Sequence, residues 1–187
     1  MPPKVAAKHH KIRPVSLALQ GGGSHAAFSW GVIDQLLQDD TVAIEAISAT
    51  SGGAMLAAIV AQGLMDGGKN GARDTLLQFW RKVSIAASLL PIRTTIVDKF
   101  LSNVGMDMST TSIALDYFTK IFSPYQFNLF DLNPLRAIVE EMVDFKALNK
   151  KSPIALYINA THARTGKGKI FDHTELSLDA IMASCCL

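Results

Sequence analysis

The sequence predicts an α/β fold: a mostly parallel central sheet with helices on its faces in three layers. Two stretches carry that prediction. Residues 15–26 (VSLALQGGGSHA) and 44–54 (IEAISATSGGA) each run from an apolar β-type segment, through a small-residue turn, into a helical pattern. Strand, helix, strand, helix in that order implies two parallel strands joined by a right-handed crossover. Ligands in such sheets bind at the carboxyl ends of the strands. Both turns fall at that end, so stretches roughly 30 residues apart can face one substrate.

Residues 15–19 are almost continuously apolar and bounded by glycine, the pattern of a buried central strand. Ser24 or a neighbour then opens a helix that sets Phe28, Val32, Ile33, Leu36 and Leu37 on one face and stops near Asp39 and Asp40. Residues 44–50 form the second strand. The helix after Ser51 carries Met55, Leu56, Ile59 and Val60 and is expected to stop at Gly63, before a polar glycine-rich loop over 66–71. Leu76, Phe79, Trp80, Val83 and Ala87 recur at helical spacing. From 84 to 104 the chain is apolar and short of charge, broken by Pro91; it reads as core helix, or else as a lid or lipid-facing hairpin. Helices are expected over 110–122 and 134–143, the second with Asn133 as N-cap and Pro134 in its first position. Residues 153–160 form a strand, 164–168 a turn and 169–171 a returning strand. Ser177 caps a last helix ending around Ser184.

The chain has 187 residues, 49% of them hydrophobic, enough for one sizeable core and one domain over 14–187. Before it, residues 1–13 form a basic flexible arm with Lys4, Lys8, Lys11 and Arg13. That arm is solvated, and a weak attraction to anionic headgroups is its sharper reading. A net charge of +2 is too small to argue for nucleic acid. Pro2, Pro3 and the charges before Val15 leave no signal-peptide core, and no apolar run reaches the roughly 18 residues of a membrane span. Cys185 and Cys186 are adjacent, so they neither bridge each other nor have metal-site spacing. Both are expected reduced, in a cytoplasmic protein that is peripheral at membranes if it reaches them at all.

The chemistry lies in the two turns. Gly21, Gly22 and Gly23 leave backbone without side chains, so their N–H groups can approach a ligand oxygen, helped by the positive end of the following helix. Ser51 sits where a strand reverses into a helix between Thr50 and Gly52, with Ala49 and Gly53 small enough for a sharp turn that exposes the hydroxyl. A nucleophile beside pre-placed donors is the minimum equipment for acyl transfer, because the donors stabilise charge that appears only during attack.

On Gly21-Gly22-Gly23 with a helix carrying Ala27-Phe28 and Gly31-Val32, on Ala49-Thr50-Ser51-Gly52-Gly53, and more weakly on Ala183-Ser184, the chain resembles the patatin-like phospholipase family. The resemblance implies Ser51 as nucleophile, Gly21, Gly22, Gly23 and Gly52 as oxyanion hole, and a lipid ester substrate of the phospholipase A or lysophospholipase type. No metal is expected, since no set of Cys, His and carboxylate has ligand spacing, and no cofactor is expected. The family pattern usually has Arg or Lys where His25 stands, and Gly where Ala26 and Ala49 stand; His25 is a candidate to line the substrate site.

The family takes the serine proton with an aspartate from a downstream Asp-Gly-Gly or Asp-Gly-Ala turn, making a Ser–Asp dyad. The one such string here, Asp66-Gly67-Gly68, comes a single helix after Ser51. A helix of about 12 residues is roughly 18 Å long and carries Asp66 away. The family's aspartate turn would follow Ser184, so the base is expected from a segment after Leu187, held as a C-terminal fragment of the same protein in a second chain. The sheet is then incomplete without that segment. His162 and His173 each follow a strand and are the alternative bases of a Ser–His arrangement.

Two other function classes compete. Gly21 to Ala26 also fits the Gly-x-Gly-x-x-Ala turn of a dinucleotide-binding oxidoreductase. The ribose-binding acid, however, belongs where Ala49-Thr50-Ser51 stands, and Glu45 is at the wrong end of its strand. The other is an inert or binding module in which Ser51 is only a turn residue and the glycines only packing devices.

Overall fold

The computed structural model describes residues 11–88 and 133–186. Residues 1–10 of the basic arm, residues 89–104 of the apolar stretch and the helix expected over 110–122 lie outside them, while Arg13, expected in the arm, opens the first strand. The chain forms two compact units, Met1–Val83 with Leu135–Leu187, and Ser84–Pro134. The second contributes only chain ends of two helices to the described residues; the first carries the sheet.

Among the described residues four strands form a mixed sheet in the order β1 (Arg13–Leu19), β2 (Val42–Ala49), β3 (Ala155–Thr161) and β4 (Gly168–Asp172). The first three are parallel and β4 runs antiparallel to β3. Their helices are α1 (Ala26–Gln38), α2 (Gly52–Ser88), α3 (Pro134–Met142), α4 (Phe145–Lys151) and α5 (Leu178–Cys185). Leu19 pairs with Ala49, and Ala49 with Ile158, so three strands share one rung where β1 and β2 end. The turns that follow therefore start level with each other.

Burial alternates along the strands. Leu156, Ile158 and Ala160 are buried while Tyr157 and Thr161 are exposed, the period of two that a half-covered sheet imposes. Strand β2 changes phase midway: Val42 is buried before Glu45, Ile47 and Ala49 after it. The register explains the switch. Val15 pairs with Ile44 and Ser16 with Ala46, so Glu45 is an extra, exposed residue in a β-bulge. Strand β1, expected to be central and buried, is an edge among the described residues and has no fully buried residue. Its Val15, Leu17 and Leu19 are half-buried on the inner face, and Ser16 and Ala18 are exposed on the other.

Helix α2 begins as the centre of the core. Residues 53–63 are buried on every side, so this part of the helix has no solvent face. Full burial of side chains such as Leu56 and Ile59 is worth about 1.5–3 kcal/mol each. Gln62 is buried but satisfied: its Nε2 donates to Asp66 Oδ2 (2.8 Å) and its Oε1 accepts from Asp144 N (2.9 Å).

The helix does not stop at Gly63, nor is 66–71 a loop. The chain reverses at Gly67 and Gly68 alone, Gly68 adopting φ 61° and ψ −149°, a combination open essentially to glycine. Gly63 instead lets the two arms touch, since a Cβ there would lie 2.5 Å from Ala72 Cα. The second arm packs on α1, with Trp80 stacked on Trp30 at 5.9 Å and Arg73 Nε paired to Asp34 Oδ1 at 2.8 Å.

On α1 the buried positions are Ala26, Ile33 and Leu37, with Trp30 half-buried between them. Phe28 and Val32, expected to face the core, are 80% and 45% exposed. The inward stripe is rotated away from them because Ala26, set against the second turn, fixes the helix phase. Among the described residues no helix is long and apolar enough to cross a membrane.

Candidate functional site

The two turns interlock where β1 and β2 end. Thr50 N–H donates to Leu19 O (3.1 Å), extending the parallel pairing by one bond. Gly21 N–H donates back to Thr50 Oγ1 (3.1 Å), tying the glycine turn to the residue before Ser51. The contact has no room for side chains. A Cβ on Gly21 would lie 2.8 Å from Ser51 Cβ, and one on Gly53 2.6 Å from Leu19 O. One on Gly52 would lie 3.1 Å from Gly23 O. The glycines are thus the surfaces through which the turns meet.

Ser51 has φ 52° and is the sole non-glycine residue with positive φ among the described residues. A left-handed conformation costs an L-residue about 1–2 kcal/mol, and it persists only where the surroundings over-determine it. Here Gly53 N and Ala54 N turn back to Thr50 O and Ser51 O at 3.0 and 2.8 Å, opening α2. Ser51 N–H points away from the helix to Ser184 Oγ (2.9 Å), whose hydroxyl donates to Asn159 O (2.7 Å) on β3. The Ser51 side chain is half-buried against Cys185. Burial pushes the Cys185 thiol up to about 11, opposed in part by its hydrogen bond with Ser51 and reinforced by Cys186.

Of the four glycines expected as oxyanion donors, Gly21 has its N–H committed to Thr50 Oγ1. Gly22 enters the turn through its carbonyl, which accepts from His25 N (3.0 Å) and faces His25 Nδ1 (3.1 Å). Among the described residues no turn hydrogen bond uses the N–H of Gly22, Gly23 or Gly52. His25 is exposed and folds over its own turn.

Among the described residues none of the candidate bases hydrogen-bonds Ser51. Asp66 sits at the far end of the first arm of α2, roughly 20 Å along the helix from Ser51. There it accepts from Gln62 and lines an acidic groove with Glu140, Glu141 and Asp144. His162 starts the β3–β4 turn, with Nδ1 3.1 Å from Thr165 Oγ1. His173 follows β4, and its Nδ1 is buried with no hydrogen-bond partner among the described residues. Among the described residues neither a carboxylate nor an imidazole hydrogen-bonds Ser51, and no group of three or more His, Cys, Asp or Glu could hold a metal ion.

Beside the site, Ala160, Thr161, His162, Ala163, Phe171 and Ala183, with the cationic Arg164 and Lys169, line an open groove of about 400 Å³. It begins one residue beyond Asn159 and one before Ser184, the pair that anchors Ser51.

Sequence reasoning missed Thr50, Asn159 and Cys185 as parts of the site, and it noted Ser184 only within the resemblance. Thr50 had a local signal, a hydroxyl next to the turning serine. Ser184 had none of its own: it is 133 positions from Ser51 and 25 from Asn159, and no spacing rule reaches that far.

No curated protein sequence matches the chain. Among solved structures, two of the complex of ExoU with SpcU from the type III secretion system of Pseudomonas aeruginosa are similar, at 16% identity and TM-scores of 0.36 and 0.41. They cover 94% and 95% of this chain and 36% and 39% of that one. VipD from Legionella pneumophila is similar at 13% identity and a TM-score of 0.33, over 95% of this chain and 42% of its own. The chain thus spans about two-fifths of the length of the proteins it matches. A family model described as patatin-like phospholipase matches residues 17–187, from within β1 through both turns to the last residue. That match takes in nearly all of the chain, which belongs to the patatin-like phospholipase family.

Proposed function

We propose that this domain is a serine acyl hydrolase acting on lipid esters, of the phospholipase A or lysophospholipase type. The observation that carries the reading is the strained Ser51, held with its hydroxyl beside a glycine turn. Ser51 Oγ attacks the ester carbonyl as its proton passes to a base, and the carbonyl oxygen takes up the charge. The N–H groups of Gly22, Gly23 and Gly52 hold that oxyanion. Each donor of this kind is typically worth ~10²–10³ in turnover. Collapse of the intermediate expels the alcohol with its proton and leaves an acyl group on Ser51, which water then removes.

The base is an aspartate supplied by a segment after Leu187, on a second chain where the protein is divided, and it completes a Ser–Asp dyad. That neither a carboxylate nor an imidazole hydrogen-bonds Ser51 among the described residues supports a base outside them. Gly21 closes the turn onto Thr50, and His25 lies at the entrance. A groove lined by apolar and cationic side chains suits an acyl chain or an anionic headgroup. Exposed Phe28 and Val32, on the helix leaving the glycine turn, suit peripheral contact with a membrane.

A serine-directed fluorophosphonate tests the reading. Applied to the assembly that carries the base, it is expected to label Ser51 and to block release of fatty acid from lysophosphatidylcholine, with Ser51→Ala neither labelled nor active. Labelling elsewhere, or hydrolysis that survives Ser51→Ala, overturns it.

A further inference from the structure

The amide of Ser51 has an unusual fate. One residue earlier, Thr50 N–H still reaches the carbonyl of β1; one residue later, the chain is helical. Between them, φ 52° swings the Ser51 N–H out of both ladders, and a half-buried donor there needs an acceptor. The acceptor is Ser184 Oγ at 2.9 Å. A hydroxyl has one proton and two lone pairs. Ser184 spends its proton on Asn159 O at 2.7 Å, so a lone pair is what it presents to Ser51. The polarity of the relay is fixed by the carbonyl at its end.

The relay joins three elements. Ser184 lies in the last turn of α5, Asn159 lies on β3 one residue past the rung shared with Ala49, and Ser51 follows β2. The next residue of α5, Cys185, touches the Ser51 hydroxyl. One helix end therefore meets both the backbone and the side chain of Ser51.

We infer that Ser184 is a positioning residue for acyl transfer: its hydroxyl holds the Ser51 amide against β3 and so fixes the direction of Ser51 Oγ. The inference rests on Ser51 being the nucleophile. Without the anchor, Ser51 is free to relax toward negative φ, which turns its side chain away from the glycine N–H groups while leaving the rest of α2 in place.

The test uses the fluorophosphonate at increasing concentration on wild type, Ser184→Ala, Ser184→Thr and Ser184→Cys, separating the maximal inactivation rate from probe affinity. Hydrogen exchange of the peptide spanning 50–53 is followed in parallel. Because misplacing a reacting group by about 1 Å costs on the order of 10²-fold, Ser184→Ala is expected to lower the maximal rate about 10- to 100-fold with affinity within about twofold. Exchange at 50–53 is expected to accelerate, and Ser184→Thr, which keeps the hydroxyl, to restore both readings. If Ser184→Ala does not fold, Ser184→Cys, a weak acceptor of similar size, is judged by the same two readings. A wild-type maximal rate in Ser184→Ala or Ser184→Cys overturns the inference, whether or not exchange changes. Faster exchange in Ser184→Ala with no labelling of wild-type Ser51 refutes the nucleophile instead, and the positioning role falls with it.

Discussion

Gly21→Ala is the sharpest probe of the claim that the two turns abut. The added Cβ would stand 2.8 Å from Ser51 Cβ and 3.5 Å from its Oγ, about 0.6 Å inside the 3.4 Å at which ordinary contact begins. The neighbour it strikes cannot swing aside, because a Cβ moves only with its backbone, and the Ser51 backbone is held at N–H by Ser184 and at C=O by Ala54. Overpacking of this kind costs about 1–3 kcal/mol. For a chain of this length that lowers Tm by roughly 2–12 °C, at about 2–4 °C per kcal/mol. The fluorophosphonate rate is expected to fall further than stability alone requires, by on the order of 10²-fold, since the displaced atom carries the nucleophile. Gly31→Ala is the control. It lies within α1, where an added Cβ meets nothing within 4 Å, and is expected to stabilise by about 0.5–1 kcal/mol. If Gly21→Ala melts and labels like wild type, the turns do not abut and the reasoning fails.

Relieving the strain at Ser51 should do the opposite to stability. Ser51→Gly is expected to raise Tm by roughly 2–4 °C relative to Ser51→Ala, about 1 kcal/mol recovered from φ 52°, while neither variant is labelled; equal melting of the two refutes a strained elbow. Cys185 adds a pH dependence at the alkaline end. Its thiol stays protonated in the folded chain to about 11 but ionises from about 9.0 when unfolded. Folding therefore binds the proton more tightly, and the stabilisation is complete below pH 9 and lost as pH rises toward 11. Melting curves over that window should fall less steeply for Cys185→Ala than for wild type, and parallel curves would contradict a buried thiol.

Both strand–turn–helix units were legible in the sequence because each is encoded locally. Apolar runs, a glycine cluster and a serine among small residues lie within a dozen positions, and the shared rung of Leu19, Ala49 and Ile158 follows from ordinary parallel pairing. What was misread depended on a distant partner. Gly63 looked like a helix stop, but its missing side chain serves the approach of Ala72 on the returning arm. Phe28 and Val32 fit a helical stripe as well as Ile33 and Leu37 do, and only the position of Ala26 against Gly52 decides which stripe turns inward. Strand β1 reads as buried from its composition, yet burial also requires neighbours on both sides, and β2 is its one neighbour among the described residues. The site divides in the same way. Ser51 and the glycines are local features, whereas Ser184 and Asn159 enter through tertiary contact alone.

The bulge at Glu45 separates what the site needs from what the strand merely contains. Pairing before it runs from Arg13 with Val42 to Val15 with Ile44, and after it from Ser16 with Ala46 to Leu19 with Ala49. Among the described residues Glu45 has no pairing partner in β1, and it is exposed. Removing it joins Ile44 directly to Ala46, which are already opposite consecutive residues of β1. Val42, Ile44, Ile47 and Ala49 then fall on one face in unbroken alternation. Deletion of Glu45 is therefore expected to leave Thr50 beside Leu19 O, keep fluorophosphonate labelling of Ser51, and change stability by no more than about 1 kcal/mol, since the residue removed is exposed. An extra alanine inserted between Ile47 and Ser48 does the reverse. It pushes Ser48 to Ser51 forward by one position, about 3.3 Å along the strand, and turns Ala49 to the wrong face. Labelling should vanish there and survive the deletion. If the deletion abolishes labelling as completely as the insertion does, the twist of the bulge, and not the register beyond it, sets the angle at which Ser51 meets the glycine turn.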